Sequence, residues 1–131
     1  MSDKVEYWVR IAEYDLETAR AMLETKRYLY VGFMCHQVVE KLLKAYYADR
    51  KGEIPPRIHN LRRLASLTGI YDEMSDQQKD FIDTLEPLNV EGRYPAYNDN
   101  VSDTLDDTAC QDLISKTEEL HQWIKQRLST T

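Results

Sequence analysis

The chain has 131 residues with only four Gly and four Pro, and its 17 Lys and Arg against 23 Asp and Glu leave a net charge of −6. That length suits a single domain over residues 1–131 able to bury a real core, and the shortage of Gly and Pro points to helices and away from a β-sandwich. The acidic balance excludes a protein whose main task is coating nucleic acid nonspecifically, since phosphate binding draws on clustered Lys and Arg. With no apolar run near the roughly 18 residues of a membrane span and no apolar signal core behind the charged N-terminus, a cytoplasmic protein without membrane contact is expected.

The first predicted helix runs from about Asp3 to Lys26, capped by Ser2 or Asp3. Val5, Trp8, Val9, Ala12, Leu16, Ala19, Met22 and Leu23 recur at i, i+3 and i+4 and form its apolar face. Asp15 stands inside that face. Such a carboxylate either meets a donor on the next helix (His36, Lys44 or a backbone N–H) or stays wet at the edge of the stripe. After a link around Arg27, Tyr28 and Leu29, a second helix extends to about Arg50 and stops at Lys51-Gly52, where Gly takes the left-handed C′ conformation. Its apolar arc covers more than half of the circumference, which predicts the most buried helix of a bundle. The remaining stripe carries His36, Glu40 and Lys44 at i, i+4 and i+8, with Gln37 and Lys41 on the adjoining row. It is either a solvated ladder of charges or a polar seam facing a cleft or a second subunit.

Ile54-Pro55-Pro56 cannot continue a helix. His59 lies at the entrance of a short third helix capped by Asn60 and closed by Gly69, a place where its ring is expected to bond a backbone group and pin the loop. Ser75 with Gln78 is a capping-box pattern opening a fourth helix, whose apolar face is Phe81, Ile82, Leu85 and Leu88 and whose end Pro87 weakens. Asn89 to Asn100 reads as a loop. The last helix begins near Thr104 or Asp106 and ends near Arg127, with His121 toward the edge of its apolar face and without an assigned role. Long helices joined by short links describe an all-α, up-and-down bundle of four to five helices.

Metal and cofactor chemistry find no motif: there is no Gly-rich phosphate loop, Cys-x-x-Cys or His-Glu-x-x-His. Cys35 and Cys110 fall on apolar faces and read as small buried hydrophobes. The remaining candidate is Arg93. With Tyr94 and Tyr97 beside it, its planar fork either grips a phosphate while a base stacks nearby or ties the loop to carbonyl oxygens or to Glu40.

Several of these pieces, taken together and in order, resemble the HEPN domain family: Trp8, Ala12, Asp15-Leu16 and Ala19; Gly32-Phe33; the run from His36-Gln37 through Glu40-Lys41 to Lys44-Ala45; Pro55 with Ile58-His59-Asn60-Leu61; and Gly92-Arg93-Tyr94-Pro95. The resemblance implies a dimerising helical bundle, in prokaryotes often encoded beside a minimal nucleotidyltransferase in toxin-antitoxin-like pairs, with nucleotide or RNA as ligand. The candidate ligand-binding residues are His36, Gln37, Glu40, Lys44, Arg93, Tyr94 and Tyr97, with Asp15 and His59 as structural polar residues. Many members are metal-independent ribonucleases that use an Arg followed after four to six residues by His. Here Arg93 is followed at those positions by Asn98, Asp99 and Asn100, none of which replaces imidazole as a base near neutral pH. The expectation is therefore a binding accessory subunit with no catalytic residue. The alternatives are an active ribonuclease toxin and a helical interaction domain without ligand.

Overall fold

The computed structural model describes residues 2–89 and 105–129 in full and residues 90–93 as backbone. Among the described residues all regular structure is helical: α1 Asp3–Glu24, α2 Tyr28–Lys51, α3 Leu61–Thr68, α4 Ile70–Glu73, α5 Asp76–Arg93 and α6 Asp107–Lys125. The four long helices make the up-and-down bundle that the sequence predicts, and α4 adds one further turn.

Local chemistry sets the boundaries. The Ser2 hydroxyl accepts the Val5 N–H at the start of α1, and Asp106 accepts the Ala109 N–H at the start of α6. Asn60 caps α3 through the Arg63 N–H at 2.8 Å. Ser75 and Gln78 form a reciprocal capping box, each side chain accepting the other's backbone N–H. Gly52 and Gly69 end α2 and α3 at φ 66° and 83°, the left-handed region that a Cβ disfavours. Lys26 adopts φ 60° without that freedom. Bonds from the Arg27 N–H to the Met22 carbonyl and from the Lys26 N–H to the Leu23 carbonyl close α1 around it, so the link to α2 falls at Thr25 to Arg27, two residues earlier than predicted.

Helix α2 is central. Fourteen of its 24 residues are buried, against six of 22 in α1 and seven of 19 in α6, because α1, α3, α5 and α6 all pack on it. Antiparallel α1 lies along one side, with Trp8 at Lys44. The last helix runs parallel to α2, from Tyr28 beside Asp107 to Asp49 beside Ser129.

Two expectations need correction at α4 and α5. No element was expected for Ile70 to Met74, yet buried Ile70 and Met74 hold a helical turn there. The fourth predicted helix was to weaken at Pro87 and give way to a loop at Asn89, yet α5 continues as helix to Arg93. Pro87 and Asp83, the residue whose carbonyl it leaves without an N–H partner, are both exposed. The cost of roughly 3 kcal/mol for an interior proline is opposed by packing on α2: Leu85 and Leu88 are buried, Leu88 lies against Gly32, and Asn89 bonds Gln37.

Candidate functional site

His36, Glu40 and Lys44 occupy successive turns of α2, each displaced by only about 40° around the axis, and all three are buried. The solvated-ladder reading is thus excluded, and the seam meets His59 at the entrance of α3, Glu86 of α5 and Trp8 of α1. Glu40 is its hub. Its Oε2 accepts from Lys44 Nζ at 3.1 Å and lies 3.0 Å from His59 Nδ1, while its Oε1 stands 3.7 Å from His36 Nδ1. On the other edge of the His36 ring, Nε2 is 3.5 Å from Glu86 Oε1 of α5. Glu86 Oε1 also accepts the Leu61 N–H at the first turn of α3, one of the donors a helix start leaves without an internal partner.

His59 comes to Glu40 because the chain turns after the prolines, where the Ile58 N–H bonds the Pro56 carbonyl at 2.8 Å, and the Asn60 cap fixes the next residue. The His59 side chain is 49% exposed, whereas Glu40 is 5% exposed, so His59 is the member of this cluster most open to solvent. Lys44 also lies 5.6 Å from the Trp8 ring, within cation–π range, which ties α1 to the same group.

The electrostatics are uneven. Both His36 ring nitrogens and Glu40 Oε1 are buried without a hydrogen bond among the described residues, so the ring lies beside the two carboxylates, at 3.5 and 3.7 Å, without hydrogen-bond geometry. Burial pushes the Glu86 carboxyl up, but the His36 ring and the Leu61 N–H outweigh it and hold Glu86 below its ordinary value. Glu13 shows the same balance in a second cluster, where burial raises it and the stronger combined pull of Lys125 at 2.8 Å and His121 at 2.9 Å lowers it. Burial drives the Cys35 thiol up to about 12 and Cys110 to about 11. A nucleophilic role for either would need the opposite shift.

Asp15 is buried and pairs with Lys41, which replaces His36, Lys44 and a backbone N–H as its expected donors. His59 bonds the Glu40 carboxylate in place of a backbone group. Gln37 donates to Asn89 Oδ1 at 3.1 Å, away from the Glu40 cluster. The backbone of Arg93 closes α5, while its side chain, with Tyr94, Tyr97 and Asn98 to Asn100, lies outside the described residues. Glu86 and Trp8 were missed as members of the polar cluster. The sequence signal for Glu86 was its place one residue after Leu85 on α5, at the border of the apolar face. Among the described residues no group of His, Cys, Asp and Glu could hold a metal ion.

A four-long-helix bundle whose central helix buries a His-Glu-Lys row defines the class. The HEPN domain family model matches residues 5–128, and the chain belongs to that family. The crystal structure of an archaeal HEPN homologue is similar with a TM-score of 0.66 at 21% identity, covering 98% of this chain and 100% of the other, a likeness of fold. No functionally curated protein matches the chain.

Proposed function

We propose that this HEPN domain is a nucleotide- or RNA-binding accessory subunit of a toxin-antitoxin-like module with a minimal nucleotidyltransferase, acting as a cytoplasmic homodimer and not cleaving RNA. One observation carries the reading. The positions that follow Arg93 after four to six intervening residues hold Asn98, Asp99 and Asn100, and the chain's three His stand elsewhere: His36 and His59 at Glu40, His121 at Glu13. An Arg without its imidazole keeps anion binding and loses the proton acceptor. No helix of the described residues is long and apolar enough to cross a membrane.

The test is binding of a fluorescent RNA oligonucleotide or of ATP to the purified protein at increasing salt. Affinity should fall as salt rises, and Arg93→Ala should weaken it by roughly 1.5–3 kcal/mol, the range for a hydrogen bond to a charged group, with an unchanged melting temperature. RNA should remain intact in the same samples. Unfolding by Arg93→Ala with no binding in the wild type would instead make Arg93 a structural clasp and the chain an interaction domain without ligand. Sedimentation showing a monomer at tens of micromolar, a usual working range, would reject the homodimer.

A second reading, the ribonuclease, draws on the half-exposed His59 with its Nδ1 on Glu40, an imidazole–carboxylate pair suited to general base work. RNA cleavage by the wild type that is lost in His59→Gln would establish it.

A further inference from the structure

Helices α5 and α6 both rest on α2, and between the first half of α5 and the middle of α6 lies an open groove of about 550 Å³. Its floor is apolar: Phe81, Leu113 and Leu120, which close packing leaves 8%, 7% and 2% exposed. Its rim is acidic. Asp80 stands on α5, with Asp112 and Glu119 on α6, and the rim's one cation, Lys116, is occupied by Asp112 at 3.0 Å. Asp80 and Glu119 enter no ion pair among the described residues.

We propose that this groove docks a basic amphipathic helix of a partner protein. From Ser75 to Thr84 the α5 rail is about 13 Å long at 1.5 Å per residue, the length of two to three helical turns. A helix of that length presents apolar anchors at i, i+3 or i+4 and i+7 to the floor, and Lys or Arg on its flanks reach Asp80 and Glu119. The sign of the rim decides among occupants. Phosphates of a nucleic acid would face carboxylates, and a second copy docked groove to groove would set the same carboxylates against each other. The chain's net charge of −6 also steers cationic segments toward it. The proposal is independent of nucleotide binding at Arg93, since each residue it uses lies in the first half of α5 or in α6.

The probe is a Leu/Lys peptide of about 14 residues with Leu at helical spacing, titrated into the isotope-labelled full chain while amide signals are followed. Saturable shifts confined to residues 75–84 and 112–120 are expected, with affinity falling as salt rises. A scrambled peptide of the same composition, and the exposed-site double variant Asp80→Lys with Glu119→Lys, should each bind at least about tenfold more weakly. Equal binding of the scrambled peptide, an indifferent double variant, or no shift in this groove up to about 1 mM overturns the proposal. So do shifts of the same amides on adding an RNA oligonucleotide or on concentrating the protein alone, which would identify a nucleic acid or a second copy as the occupant.

Discussion

Removing the Glu40 carboxylate would leave Lys44 inside the bundle with its nearest anion gone and His36 with Glu86 alone. Glu40 and Lys44 side chains are only 5% and 8% exposed, so Glu40→Ala should cost about 3–5 kcal/mol, the range for breaking one side of a buried ion pair. Urea unfolding would measure it, and a loss below roughly 1 kcal/mol would mean that water already serves Lys44. Leu42, fully buried on the same helix, gives the apolar comparison: Leu42→Ala should cost about 2–5 kcal/mol through lost burial and a residual cavity. Much of this residue detail was legible in advance. The row His36, Glu40, Lys44 stood out by spacing alone, and the position of Asp15 inside an apolar face offered a partner on the next helix as one of two readings. Which partner was not legible, because Lys41 and Lys44 differ only in how far each side chain reaches around α2, a matter of helix rotation that periodicity leaves free. His59 met Glu40 for the same reason: the path of the Pro55-Pro56 segment decides it, and sequence sets the turn without setting its direction.

At the level of elements, Glu86 holds the start of α3 to α5 and both to His36. Its carboxyl lies below the ordinary 4.5 in the folded state, so between those two values the native chain keeps Glu86 ionised where the unfolded chain takes up a proton. The stabilisation is complete above about pH 4.5 and is lost as pH falls through the lower, folded value. Urea midpoints of the wild type and Glu86→Gln should therefore be well separated at pH 7 and converge below pH 4.5, and a constant gap would mean that the charge contributes nothing. The helix boundaries were legible wherever a cap or a left-handed Gly marks them, as at Asn60, Ser75, Gly52 and Gly69. They failed at Pro87 and at Ile70, where tertiary packing overrides a local preference. A proline on the wet side of a helix anchored by Leu85, Leu88 and Asn89 does not end it, and a four-residue turn carries too few positions to show any period.

At the scale of the whole molecule, every layer is laid on α2, so opening the bundle anywhere near its centre exposes the core. Cys35 on α2 and Cys110 on α6 are both fully buried free thiols. Ellman-type labelling should therefore reach both at one common rate that rises with urea in step with unfolding. Fast labelling of Cys110 alone in the native protein would show α6 opening by itself. The bundle and the centrality of α2 were readable from the breadth of its apolar arc, while the groove between α5 and α6 was not, since a gap between two helices depends on how each leans on a third. The burial of these thiols has a kinetic consequence. A bulky adduct formed during a brief opening has no room to return between α2 and the helices around it, so an electrophile or oxidant converts a reversible excursion into permanent loss of the native form. Under such stress the lifetime of the protein is set by how often the bundle opens, even where its equilibrium stability is ample.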